Sequence, residues 1–218
     1  MKKLALLLLF NLAISFHLLA QVFIGVKAGG ALTNNVYDGV GISGGFGIGS
    51  LKTSYLGGFF AEALLSENFS IQPELLYNNK GYTAIDNGPL SLHYNLHYVS
   101  VPIMLQYRVL DRLIVELGPE IGYLLDATSN RSSRGIFMGI PSFDEQLLSS
   151  YKDLDLALNM GIGYLLSDKW SLNLRYNMGL YDVTEDFYTS VFELDEPVLI
   201  SSPVYNRSLQ LSISYRVF

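Results

Sequence analysis

His93, His97 and Ser100 lie within a span of eight residues, and these are the histidines outside the N-terminal apolar run, with a serine nucleophile close by. A hydrolase at a membrane surface would need these groups and an orienting acid in mutual contact. Nothing else in the sequence supports that arrangement, and histidines at a lipid headgroup rim account for both positions without chemistry. Glu62, Glu74, Glu116 and Glu120 could form a carboxylate pair for acid–base work or hold a cation. The plainer alternative is a set of buried ion pairs, because lysines and arginines of matching phase accompany them. Gly39-Val-Gly41-Ile-Ser-Gly44 has the GxGxxG spacing, but Gly-Phe-Gly-Ile-Gly follows where a dinucleotide turn requires a helix, so the segment reads as an external loop. No catalytic residue, cofactor or metal ligand is assigned, and the chain is not expected to be an enzyme.

Composition restricts the class. Charged residues make up 16% of the 218 positions, below the roughly 25% of soluble domains, while 15 Tyr, 12 Phe and 20 Gly mark a strand-rich chain. A net charge of −6 argues against a nucleic-acid partner. The absence of Cys removes disulfides, thiolate metal sites and a lipid-modified cysteine. Lys2 and Lys3 precede an apolar run from Leu4 to Leu19, and Ala20–Gln21 offers a cleavage point. The expectation is a cleaved signal peptide over 1–20 and one domain over 21–218.

What must position the charged residues is a set of strands. Apolar and polar side chains alternate with a period of two through Phe69–Lys80, Leu113–Tyr123, Leu154–Tyr164, Trp170–Met178 and Ser208–Tyr215, with Leu76 breaking the pattern. Eight candidate strands follow, over 22–31, 55–65, 69–81, 96–109, 113–125, 154–166, 170–181 and 205–217. Most exceed the usual five or six residues and suit a tilted membrane crossing. Tight polar turns (Ser66-Glu67-Asn68, Leu110-Asp111-Arg112, Ser167-Asp168-Lys169) alternate with long connectors over 32–54, 82–95, 126–153 and 182–204. This layout predicts an all-β, eight-stranded antiparallel up-and-down transmembrane β-barrel, with both termini on the short-turn side. Pro73 and Pro119 each remove a ladder donor, and a bulge or local water is expected there.

Alternation alone leaves the facing open, since a soluble ligand-binding barrel turns its apolar face inward. Three features place the apolar face outward. Glycines crowd the polar face at Gly25, Gly29, Gly58, Gly118, Gly122, Gly161, Gly163 and Gly179, as a narrow lumen demands. Phe69 and Trp170 follow short turns, and Tyr77, Tyr123 and Tyr181 lie toward the long connectors, like two interfacial girdles. The polar face also carries charges of both signs: Lys27, Lys80, Arg108, Arg175 and Arg216 against Glu62, Glu74, Glu116, Glu120 and Asp155. Their near balance predicts a filled, salt-bridged interior and not an open pore. The late connectors are acidic, through Asp144, Glu145, Asp153, Asp182, Glu185, Asp186, Glu193, Asp195 and Glu196. Phe187, Tyr188, Val191, Phe192, Val198, Leu199 and Ile200 predict that part of the last one is ordered.

The segments GFFAEALLSENFSIQPELLYNNKGY (58–82), YVSVPIMLQYRV (98–109), LIVELGPEIGYLL (113–125), DLALNMGIGYLLSDKWSLNLRYNMGLYDV (155–183) and SLQLSISYRVF (208–218) together resemble the PorT-like outer-membrane β-barrel family of Bacteroidota. The resemblance implies an exported eight-stranded barrel in the cell outer membrane. One founding member is linked to protein secretion, and no catalytic motif is there to transfer. The chain departs from many such barrels in that Phe218 is out of phase with Leu211, Ile213, Tyr215 and Val217. The functional expectation is a structural, adhesive or secretion-accessory barrel with partners in outer-membrane lipid, lipopolysaccharide and a protein bound at the loops. A narrow channel, a lipid-modifying enzyme and a soluble periplasmic binder are the alternatives.

Overall fold

The computed structural model describes residues 22–37, 50–87, 90–133, 144–146, 150–185, 187–189, 198–200 and 203–218. The signal segment, the Gly39–Gly44 motif and Asp186, Val191, Phe192, Glu193, Asp195 and Glu196 lie outside these residues. Eight long strands form the body: β1 (Val22–Tyr37), β2 (Lys52–Leu64), β3 (Phe69–Asn87), β4 (Leu90–Arg108), β5 (Leu113–Ser133), β6 (Leu154–Leu165), β7 (Trp170–Gly179) and β8 (Val204–Arg216). Each pairs antiparallel with the next, and β8 pairs back onto β1 from Gly25↔Arg216 to Tyr37↔Val204. The sheet is therefore closed, and no strand edge is left to face hydrocarbon, where an unpaired N–H or C=O cannot be satisfied.

Serines brace two of the three short turns, and backbone bonds between Leu110 and Leu113 close the third. Ser66 Oγ accepts the Phe69 amide at 3.1 Å, and Ser167 Oγ accepts the amides of Lys169 and Trp170 at 3.3 and 3.2 Å. These side chains replace backbone partners that a tight turn cannot supply. The C-terminus returns to the same rim, where Ile24 exchanges backbone bonds with Phe218.

Most apolar strand residues turn outward, with Leu56, Phe60, Leu76, Met104 and Ile114 among the inward exceptions. Leu172, Leu174 and Tyr176 are exposed at 40%, 41% and 39%, whereas Arg175 between them is 2% exposed. The same split separates Leu117 and Ile121 from Glu116 and Glu120. A soluble barrel with an apolar interior is thereby overturned, because its core residues are here the exterior. Aromatic pairs close both ends of the apolar band. Phe69 packs on Tyr107 and Trp170 on Tyr215 near the short turns, with ring centroids 4.7 and 4.6 Å apart. Tyr55 and Tyr77 pair toward the other rim. Inside, crowding is severe enough that a Cβ on Gly118 would stand 2.0 Å from the Ile103 carbonyl oxygen. Only glycine lets β5 approach β4 there.

Two expectations are corrected. The register runs unshifted through Pro73↔Ile103 and Pro119↔Leu158, so of the bulge or local water expected at each proline the bulge is ruled out. Each removes one donor, and the ladder on either side holds the alignment. The shifts fall instead between Thr83 and Ile85 and between His97 and Tyr98. The spans 82–87, 90–95 and 126–133 are not loops either. They extend β3, β4 and β5 beyond the barrel wall, and Asp144–Gln146 adds a short strand onto Thr128–Asn130. Cross-strand contacts hold this extension despite its polarity, as in the stacked Tyr82 and Tyr94 rings 4.7 Å apart. At its root Gly81 has φ +117°, with the Tyr94 carbonyl 2.1 Å from where a Cβ would lie. The last connector is ordered in part: Phe187–Thr189 pairs antiparallel with Val198–Ile200.

Candidate functional site

The lumen is filled in layers whose order follows the inward residues of β3, namely Ser70, Gln72, Glu74, Leu76, Asn78 and Lys80 from the short turn outward. At the short-turn end Arg216 pairs with Glu62 at 2.7 Å, bonds the Asp168 carbonyl at 3.2 Å and lies over the Phe23 ring. Arg108 is only half-buried, in a cleft with Glu62, Glu67 and Gln106, and makes no ion pair among the described residues. Its place in the expected network is thus corrected. Arg108 is the last residue of β4, so its long side chain reaches the solvent rim and keeps its hydration.

The inner layer centres on Arg175. Its Nη1 and Nη2 donate to Glu74 Oε2 and Oε1, both at 3.0 Å, and its Nε donates to Glu116 Oε1 at 2.9 Å. Lys27 Nζ pairs with Glu74 at 2.5 Å. Gln72 donates to Glu74 at 2.6 Å, and Gln106 donates to Gln72 and to Glu116 at 3.2 Å each. Two positive and two negative side chains, all at most 3% exposed, so form one neutral cluster with a relay of amides. The fork of Arg175 on a carboxylate is the strongest geometry available to such a pair. It also spans the barrel. β7 and β3 stand four places apart in a ring of eight, which is diametrically opposite.

The outer layer centres on Lys80, whose Nζ donates to Glu120 at 3.1 Å, Asp155 at 2.9 Å and Asn177 at 3.2 Å. Asn177 also lies on β7, so this layer crosses the diameter as well. Asn159 joins Glu120 to Asn177, and Asn206 joins Asp155 to the Tyr98 hydroxyl. Nearer the loop-side rim, Lys52 donates to Asn79 and to the Lys80 carbonyl.

Above the ions lies an apolar lid that no sequence pattern announced. Leu96, Tyr98, Leu124 and Ala127 turn inward and meet Tyr151, Val183 and Val204. Tyr151 and Val183 come from connectors, folded over the mouth by the bridge between Tyr151 and Thr184. The signal that could have found it is apolar Leu96 and Leu124 at even positions, in phase with the polar face. Asp182 fastens the lid. Its Oδ1 accepts from the Val204 and Thr184 amides at 2.8 and 3.2 Å and from the Thr184 hydroxyl, and its Oδ2 accepts from Lys152 at 2.6 Å. Burial alone would raise the Asp182 pKa, but these donors outweigh it and hold the carboxyl below its ordinary value. A depressed folded-state pKa adds stability that is complete above the unfolded value, about 3.9, and fades as pH falls through the lower folded one. Amide exchange at Val204 and Thr184 is therefore expected to be well protected above about pH 4 and to lose protection below it. Asp182→Asn should remove that pH dependence.

His97 and Ser100 do not meet. Ser100 Oγ is buried in the lumen, accepting from Asn78 at 2.9 Å, while His97 Nδ1 lies 2.6 Å from the Tyr77 hydroxyl on the exposed face. His93 contacts the Thr83 hydroxyl. Glu74 and Glu116 share Arg175 and are not an isolated carboxylate pair.

Comparison with known proteins decides the kinship. A family model described as an outer membrane protein beta-barrel domain matches residues 17–185. The chain belongs to that family. Its closed eight-stranded barrel is accordingly an outer-membrane barrel, and the outward apolar band is its lipid-facing wall. No curated protein matches the sequence. Among solved structures it is similar to Neisserial surface protein A, at 9% identity and a TM-score of 0.47, covering 90% of this chain and 99% of that one. It is also similar to Ail, the attachment invasion locus protein of Yersinia pestis, at 13% identity and 0.46, covering 90% and 99%. The outer membrane protein W of E. coli shares 17% identity at 0.39, covering 89% and 97%.

Proposed function

We propose that this outer-membrane barrel is a sealed scaffold, not a channel and not an enzyme, whose work is done by the surface it presents on the long-connector side. The observation that carries this reading is the span of Arg175 to Glu74 across the full diameter. A second crossing, from Lys80 to Asn177, and the apolar lid lie behind it. A solute would have to break buried charge pairs, and an unpaired ion in a dry interior is unfavourable. The rigid wall and the ordered extension of β3–β5 then form a platform suited to adhesion or to a secretion accessory. Its partners are outer-membrane lipid, lipopolysaccharide and a protein bound at the loops. The order of the segments quoted above supports the narrower PorT-like kinship, within Bacteroidota, and export through a cleaved signal peptide. The separation of His97 from Ser100 speaks against a lipid hydrolase, and lipid A should be unchanged by His97→Ala with Ser100→Ala.

The test is conductance. Purified full-length protein in a planar bilayer is expected to give no stable unitary steps. Regular steps from the native protein would establish the channel instead. An Arg175→Ala variant that begins to conduct would locate the seal.

A further inference from the structure

The two ionic layers differ in charge. The inner one balances Lys27 and Arg175 against Glu74 and Glu116, whereas in the outer one Lys80 is the one cation among the described residues in contact with Glu120 and Asp155. Lys52 does not make up the difference by contact, since its bonds go to Asn79 and the Lys80 carbonyl. The same layer holds oxygens that have no hydrogen-bond partner among the described residues. Asp155 Oδ1 accepts no hydrogen bond from the described residues, although Asp155 is 1% exposed. Asn206 donates to Asp155 Oδ2 at 2.9 Å, yet its own Oδ1 is unpartnered. Asn35 lies directly opposite Asn206 across the β1–β8 pair, and both its side-chain atoms are unpartnered. Neighbouring strands bring such facing side chains within about 5 Å at Cβ.

The local chemistry is one-sided. Among the described residues four buried side-chain oxygens lack a partner, Asn78 Oδ1 on β3 and the three of Asp155, Asn206 and Asn35, against one free donor, Asn35 Nδ2. Water would supply protons to these acceptors but would leave two carboxylates in contact with one cation, since Lys52 touches neither. A second cation satisfies the acceptors and balances the charge. Carboxylate and amide oxygens are hard ligands that suit alkali and alkaline-earth ions and not softer metals. A single excess charge and a single free carboxylate oxygen match a monovalent ion, since calcium sites recruit more carboxylates. We propose that Asp155 Oδ1, Asn206 Oδ1 and Asn35 Oδ1 bind a monovalent cation of sodium type, which completes the neutral outer seal. The inference rests on the sealed lumen, whose own test is conductance, so the two can fail separately.

The experiment uses the full-length barrel in non-ionic detergent, unfolded by heat in NaCl or in N-methylglucamine chloride at equal ionic strength. The native midpoint should rise with sodium and saturate, as for a ligand bound only by the folded state. It should not rise with the organic cation. The protein should also broaden the ²³Na resonance. Asp155→Asn keeps the shape and removes the charge, and it should lose both effects. A native midpoint equal in the two salts, or an undiminished sodium effect in Asp155→Asn, overturns the proposal. If Asp155→Asn does not fold, Asn206→Asp decides. Its second carboxylate should move the preference from sodium to calcium, and a midpoint indifferent to calcium overturns the site.

Discussion

Replacing Arg175 with methionine is expected to destabilise the barrel by about 3–5 kcal/mol, the usual consequence of removing one partner from a buried ion pair. The magnitude follows from what remains. Glu74 would keep Lys27 and Gln72, but Glu116 would be left with only the Gln106 amide in a layer closed to solvent. Removing the guanidinium deletes three charge-assisted bonds at 2.9–3.0 Å while leaving the carboxylates in place. Urea unfolding of the folded band in detergent gels measures the change. Adding Glu116→Gln should return part of the loss, because an amide carries no charge to desolvate. If Arg175→Met were neutral and Glu116→Gln had no effect upon it, the cluster would not hold the strands together.

The second large effect concerns the outer wall. Leu174 lies mid-strand in β7, outward-facing, between Ile162 of β6 and Leu211 of β8. Leu174→Arg is expected to cost about 2–4 kcal/mol in a bilayer, as for arginine near the midplane of such barrels. The same substitution at Tyr215, beside Trp170 near the short-turn rim, should cost only about 0–1 kcal/mol, because the side chain can reach headgroups and water. Equal costs at both depths would mean that the apolar band does not lie across a membrane.

The alternation of residues 170–178 showed which side chains share a face, and the glycines and paired charges on the polar face showed which face is inside. In a strand each side chain is bound to one of two directions, and Arg175 cannot face lipid while its neighbours do. The inward set of charges was legible for the same reason. Partner choice was not. Whether Arg175 meets Glu74 or Glu62 depends on which strand lies opposite and how far the register slides, and alternation carries neither. Arg108 shows the limit, since its phase is inward but its depth puts it at the rim. The lid was hidden because Tyr151 and Val183 come from connectors without periodicity. The extension of β3–β5 was hidden because its alternation pairs polar with polar. The shift at His97/Tyr98 leaves Leu124 and Ala127 both inward, three residues apart. A strict period of two would have put one of them outside.

The chain has no cysteine, so single cysteines can be placed and spin-labelled at each position from 171 to 178 in lipid vesicles. Oxygen, which concentrates in the acyl region, should relax the labels at 172, 174 and 176 strongly and those at 173, 175 and 177 weakly. The reverse phase, or a flat profile through the strand, would contradict a barrel that turns its apolar side chains to lipid and its charges to the axis.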